Sequence, residues 1–219
     1  MKETIFGTIA FILFIMYDLE QAGAVSHRFH KITKYFFTIG SVILLLVTGV
    51  LLWKTVPFVM PMNEKQLVFL ILSVIFLALL IYTLFFALPF EETYVAQEAH
   101  KTYDRKMYAL CRHPGVLWFA GVYFSLWLMF GTKEWLMMAI WFSLLNFCYI
   151  VLQDYYTFPR IFSDYADYKK RVPFLFPNGK SLKRCIDTFK ESRRLVYEIR
   201  RKTENIISRR DLAGILRFP

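Results

Sequence analysis

Residues 115–130, GVLWFAGVYFSLWLMF, and residues 135–152, WLMMAIWFSLLNFCYIVL, are two uncharged apolar runs separated only by Gly131-Thr132-Lys133-Glu134. About 20 apolar residues in a helix cross the hydrocarbon core of a bilayer. In lipid, a helix is the element that satisfies its backbone polar groups within one segment. Both runs therefore read as membrane helices, and so short a link folds them into an antiparallel hairpin. The same criterion, applied toward the N-terminus, finds three more runs: 4–17, the shortest; 35–53; and 67–88, the clearest. The expected fold is an all-α integral membrane protein with about five transmembrane helices.

The composition agrees. The 219 residues, enough for one or two domains, are 57% hydrophobic and 19% aromatic, with a mean hydropathy of +0.40. Because 20% are also charged, the charge must be segregated from the spans. Residues 153–219 hold 16 Lys/Arg against 8 Asp/Glu and so carry +8 of the net +10. The basic character belongs to the tail. Cys111, Cys148 and Cys185 form no CxxC pair and support neither a disulfide framework nor a zinc cluster, so reduced thiols are expected. The first run is not a cleavable signal, since Asp18 and Glu20 follow it with no small-residue cleavage site.

Orientation follows from the loops. Residues 18–34 hold Arg28, Lys31 and Lys34, residues 89–114 hold Lys101, Arg105, Lys106 and Arg112, and the tail is basic throughout. The other side has only Lys2, Lys54, Lys65 and Lys133. The excess of positive charge on cytoplasmic loops predicts the N-terminus outside and the C-terminus in the cytoplasm.

Smaller features have plain readings. His27 and His30 share a helical face but have no third ligand nearby, so an interfacial basic helix is expected there and no metal. Tyr35, Trp53, Phe90 and Trp135 read as interface anchors. Gly40, Gly49 and Gly121 read as sites of close helix packing. Asn146, at membrane depth, is expected to hydrogen-bond between helices.

The polar stretch 90–107, with Glu91, Glu92, Glu98, His100 and Asp104, runs into Tyr108-Ala109-Leu110-Cys111-Arg112-His113-Pro114, which opens the fourth span. Pro114 suits the first turn of a helix. Arg112 and His113 at a helix N-terminus make a candidate anion site; the alternative is that Arg112 reaches to lipid headgroups. After the fifth span come Gln153-Asp154-Tyr155-Tyr156 and then Tyr165-Ala166-Asp167-Tyr168-Lys169-Lys170-Arg171-Val172-Pro173, tyrosines mixed with acids and bases as in a polar pocket lining. Pro173 and Pro177 break the chain. Residues 181–208 carry a helical apolar stripe, Leu182, Ile186, Phe189, Val196, Ile199 and Ile206, on an otherwise basic helix. Such a helix is expected on the anionic lipid headgroups of the cytoplasmic leaflet. Tethering to the bilayer explains the charge without a nucleic-acid partner.

Tyr108-x-x-Cys111-Arg112-His113-Pro114 at the start of a span, a tight helical hairpin, an acid after the last span, and Tyr165-x-x-Tyr168-x-x-x-Val172-Pro173 together resemble the isoprenylcysteine carboxyl methyltransferase and phospholipid methyltransferase superfamily. The resemblance covers residues 90–177, and its force lies in the order and spacing of the blocks. It implies three segments: three N-terminal spans over 1–89, a methyltransferase-like core with the hairpin over 90–177, and a basic amphipathic tail over 178–219. It also implies a cytoplasmic site for S-adenosylmethionine and a lipidic or membrane-soluble acceptor arriving from the bilayer. Arg112, His113 and Asp154 would be the catalytic residues. Tyr108, Arg112, His113, Pro114, Gln153, Asp154, Tyr165 and Tyr168 would bind the cofactor. Arg112 and His113 would take its carboxylate, Asp154 with Gln153 its ammonium or ribose, and the tyrosines its adenine. Methyl transfer is an in-line displacement that depends on alignment and exclusion of water rather than on a metal.

Three positions depart from the family pattern. Val116 and Trp118 stand where it has Tyr and Gly after Arg-His-Pro, and Gln153 stands where it has the first of two glutamates. These departures leave a second reading, an inactive family member acting as a membrane scaffold or lipid-binding protein. The acceptor and the oligomeric state are not legible.

Overall fold

The computed structural model describes residues 2–24, 30–58, 61–86 and 101–215. Among these residues every regular element is helical. The long helices are α1 (Lys2–Gln21), α3 (Phe36–Thr55), α4 (Glu64–Ile81), α6 (Pro114–Phe130), α7 (Lys133–Leu152) and α10 (Gly179–Ile215). Short ones lie between them: α2 (His30–Thr33), α5 (Met107–Leu110), α8 (Phe158–Ile161) and α9 (Tyr165–Arg171). α4 continues as a wider π-turn over Tyr82–Phe86, and α7 does the same over Gln153–Thr157.

Three helices are long and apolar enough to cross a membrane: Phe36–Thr55, Glu64–Phe86 and Lys133–Ile161. α6 is apolar but shorter, at 17 residues. Much of the apolar surface of these helices points outward. Leu45, Leu46, Val68, Val74, Ile140 and Leu144 are all exposed, as suits contact with lipid.

The hairpin anchors the bundle. α6 stops at Gly131, whose φ of +68° is the left-handed conformation that ends helices at little cost to glycine. Thr132 then caps α7 by accepting from the Trp135 backbone N–H at 3.4 Å. The link is therefore two residues, not four, because Lys133 and Glu134 form the first turn of α7. α4 starts with a capping box, with Asn63 and Gln66 bonding each other's backbone at 2.9 and 3.0 Å.

α7 packs on α6 and α1, α6 on α4, and α1 on α3. Their inner faces share one core built on Phe11, Phe14, Leu51, Tyr123, Leu126, Trp135, Met138 and Phe142. Polar ties cross it: the Thr48 and Tyr123 hydroxyls meet at 2.7 Å, and Trp135 Nε1 donates to Thr55 Oγ1 at 3.2 Å. Gly40 lets α3 approach Phe14 and the Ala10 carbonyl, and Gly121 lets α6 approach the Phe76 ring. Gly49 is different: nothing lies within 4 Å of where its Cβ would be, so it permits no close contact. Asn146 is half-buried, and no hydrogen bond of its side chain is seen among the described residues. His27 and the acids Glu91, Glu92 and Glu98, with His100, lie outside the described residues.

α10 is helical over the amphipathic stretch, but its stripe is divided. Cys185 and Phe189 pack on Ala109 and Leu110 of α5, and Ser181 and Thr188 are buried on the same side. Leu182 and Ile186, one position off that face, stay exposed. The start of this helix therefore docks on the protein, with a second apolar edge left outward. The side chains of Val196, Ile199 and Ile206 are outside the described residues.

Candidate functional site

Three separate segments meet at the end of the hairpin away from Gly131. Pro114 begins α6, where its missing N–H costs nothing, and leaves Arg112 and His113 just ahead of the helix. The Arg112 backbone N–H donates to the Pro173 carbonyl at 2.9 Å, joining this segment to the chain after α9. At the end of α7 the backbone widens into the π-turn, a distortion that recurs at functional sites, and this turns Asp154 and Thr157 inward. α9 then presents Tyr165, Tyr168 and Lys169 on one face, at the i, i+3, i+4 spacing of helical neighbours.

Asp154 is the centre. It is fully buried. Its Oδ1 accepts from Arg112 Nε at 2.8 Å and from the Tyr165 hydroxyl at 2.6 Å, with His113 Nε2 at 3.3 Å. Its Oδ2 accepts from Arg112 Nη2 at 3.2 Å and from Lys169 Nζ at 2.8 Å. The forked Arg112 contact is the bidentate geometry in which a guanidinium holds a carboxylate most firmly. Arg112 Nη1 donates to the Lys169 and Val172 carbonyls at 3.1 and 3.0 Å, so the guanidinium also fixes the end of α9. Lys169 Nζ donates to the Asp154 carbonyl at 3.0 Å.

Aromatic rings wall this ion cluster. His113 stacks on Phe158 at 5.7 Å and meets the edge of Phe174 at 5.3 Å. The Arg112 guanidinium lies 5.4 Å from the Phe174 centroid. Tyr168 donates to the Tyr108 carbonyl at 2.8 Å, and the Tyr108 hydroxyl donates to the Thr83 carbonyl at 3.2 Å, so the tyrosines brace α5 between α9 and the end of α4.

Burial lowers the His113 pKa, and the nearby Arg112 and Lys169 charges lower it further against the raising effect of Asp154. The imidazole is therefore held neutral. Burial and the hydrogen bond to Asp154 raise the Tyr165 pKa, and burial raises that of Tyr168. Both phenols act as fixed donors. Burial pushes the Cys111 thiol up to about 12, which makes it inert.

Of the residues expected from sequence, Tyr108, Arg112, His113, Pro114, Asp154, Tyr165 and Tyr168 come together. Gln153 does not join them. The π-turn sends its side chain the other way, where Nε2 donates to Asp18 Oδ2 at 2.7 Å on α1. Trp118 lies against α4, stacked on Phe76 at 6.3 Å. Lys169, Phe158 and Phe174 complete the cluster and were missed. Lys169 was findable, one step from Tyr168 and one turn from Tyr165. The two phenylalanines carried no signal among 23 in the chain. No group of His, Cys, Asp and Glu able to hold a metal occurs among the described residues. A separate cleft of about 450 Å³ lies between Asp104-Arg105 and the start of α10, lined by Lys180, Lys183, Asp187 and Glu191 among others, and does not touch Asp154.

No family model, curated protein or solved structure matches the chain.

Proposed function

We propose that the chain is a membrane-embedded methyltransferase that uses S-adenosylmethionine to methylate a lipidic or membrane-soluble small acceptor. Its spans would be α1, α3, α4, α6 and α7, with the N-terminus outside and the C-terminus, its basic helix on anionic headgroups, in the cytoplasm. One observation carries the reading. Of the residues singled out by the sequence resemblance, Arg112, His113 and Tyr165 converge on the Asp154 carboxylate at the end of the hairpin, and Tyr168 braces Tyr108 beside them.

The donor set fits the cofactor in kind. Arg112 and Lys169 supply cationic charge for a carboxylate, and the tyrosines supply flat faces and hydroxyl donors. Asp154 already receives the chain's own donors on both oxygens. The donor an incoming ammonium would replace is Lys169, whose side chain is 29% exposed while that of Arg112 is 9% exposed. S-adenosylmethionine would supply an electrophilic methyl group on its sulfonium. Phe158 and Phe174 would keep water from it, and neutral His113 would orient through Nε2 without adding charge.

The saturation of Asp154 and the turn of Gln153 toward Asp18 favour a second reading, a non-catalytic membrane scaffold or lipid-binding protein that retains the fold. Calorimetric titration of the detergent-purified protein with S-adenosylmethionine and S-adenosylhomocysteine separates the two. The methyltransferase reading expects micromolar affinity, on the order of −8 kcal/mol, lost in a folded His113→Ala variant. No binding to folded wild-type protein overturns it in favour of the scaffold.

A further inference from the structure

The segment after α9 reads Val172-Pro173-Phe174-Leu175-Phe176-Pro177. Its base is fixed: Val172 is buried, and the Val172 and Pro173 carbonyls accept from the Arg112 side chain and backbone at 3.0 and 2.9 Å. Its tip is not covered. Phe176 is 77% exposed, one of the most exposed large apolar side chains described.

The contact that Phe174, two residues before that tip, makes with α7 tells what the loop faces. The Phe174 ring lies 6.3 Å from the ring of Phe147, nearly perpendicular to it. Phe147 belongs to the outward apolar surface of α7, with Ile140 and Leu144. It precedes Leu152, the end of the apolar run, by five residues. At 1.5 Å per residue, that sets it roughly 7.5 Å inside that end. Phe174 packs against it. Lys170 and Arg171 precede the loop at the end of α9, with side chains 75% and 46% exposed. An exposed apolar tip beside the outward apolar surface of a membrane-length helix, preceded by basic residues, is the arrangement of interfacial membrane-binding segments, in which cations meet headgroup phosphates and rings enter the acyl boundary.

We infer that the Phe174–Phe176 loop is a membrane-inserted wedge, continuous with the lipid-facing surface of α7, and that its partner is the bilayer itself. Phe174 then links the lipid-facing surface of α7 to His113, whose ring it also contacts. The inference stands on the loop's position and does not depend on any cofactor.

The test uses the full-length chain in phosphatidylcholine–phosphatidylglycerol vesicles with an environment-sensitive NBD label on a single introduced cysteine. Cys148, the exposed native thiol, is first replaced by Ser, while Cys111 and Cys185 are buried. Phe176→Cys places the label on the wedge. Asp167→Cys, on α9 with a side chain 70% exposed, places it on a polar face as the reference. The expected result is blue-shifted emission at position 176, quenched several-fold more by lipids carrying a shallow doxyl group than at position 167. Water-like emission at both positions overturns the inference. So does a blue shift at 176 without lipid quenching, which would mean that protein, such as a second copy of the chain, covers the loop.

Discussion

At Asp154, two oxygens accept from Arg112, Lys169 and Tyr165, with His113 at the edge, and none of these partners is close to it in sequence. The carboxylate therefore ties the start of α6 and the face of α9 to the end of α7. Removing one partner of a buried ion pair strands the other charge, at a cost of about 3–5 kcal/mol. Asp154→Asn should accordingly lower the thermal unfolding temperature in detergent by many degrees, whereas Asp167→Asn, exposed on the same helix as Lys169, should leave it unchanged. Equal shifts would deny Asp154 this structural role. His113 sets a pH dependence. Its pKa is lowered in the folded chain, while in the unfolded chain it is about 6.5. The unfolded chain therefore takes up a proton that the folded one refuses. Stability contributed by neutral His113 is present above pH 6.5 and is lost as pH falls below it. Subtracting the stability profile of His113→Gln from that of the wild type should isolate this loss as pH falls below about 6.5. A flat difference would show that folding leaves the His113 pKa unchanged, and a loss on raising the pH would show that the fold holds it protonated.

The elements owe their contacts to a few small residues and to how each helix ends. A Cβ on Gly121 would lie 2.6 Å from the Phe76 ring on α4. Gly121→Ala should push α4 and α6 apart and cost about 1–3 kcal/mol by overpacking. Gly49 has open space around it, so Gly49→Ala should stabilise α3 by roughly 0.5–1 kcal/mol through reduced backbone freedom in the unfolded state. Denaturant titration of both variants should give shifts of opposite sign, although sequence alone reads both glycines alike. The π-turn is the decisive irregularity. It carries Gln153 toward α1 and Asp154 toward α9, dividing a pair that the sequence suggests would act together. Nothing in the local sequence announces that widening, because it is imposed by what the two side chains meet on either side.

For the whole molecule, the distribution of Lys and Arg predicts opposite sides for the two ends of the chain. In sealed vesicles or cells, a membrane-impermeant maleimide should label Lys2→Cys from outside and Lys170→Cys only after the membrane is opened, in a background without Cys148. Labelling of both from the same side would require an even number of spans and overturn the five-span topology.

The sequence by itself determined the helical class, the hairpin, the membrane-length helices and the basic tail. These are legible because hydropathy, helix period and turn residues act over short distances along the chain. It also marked most of the residues that gather on Asp154, through the order and spacing of Arg112-His113-Pro114 and Tyr165-x-x-Tyr168. Only the tertiary structure decided that Lys169 joins the ion cluster, that Gln153 bonds to α1, and that Phe158 stacks on His113 while Phe174 meets it edge-on. It also showed that Phe174 reaches the outward ring of Phe147 on α7. Each of these depends on which side chains from distant segments share one buried volume. That is set by packing and by the need to satisfy a buried charge, and neither is written in any single stretch of the chain.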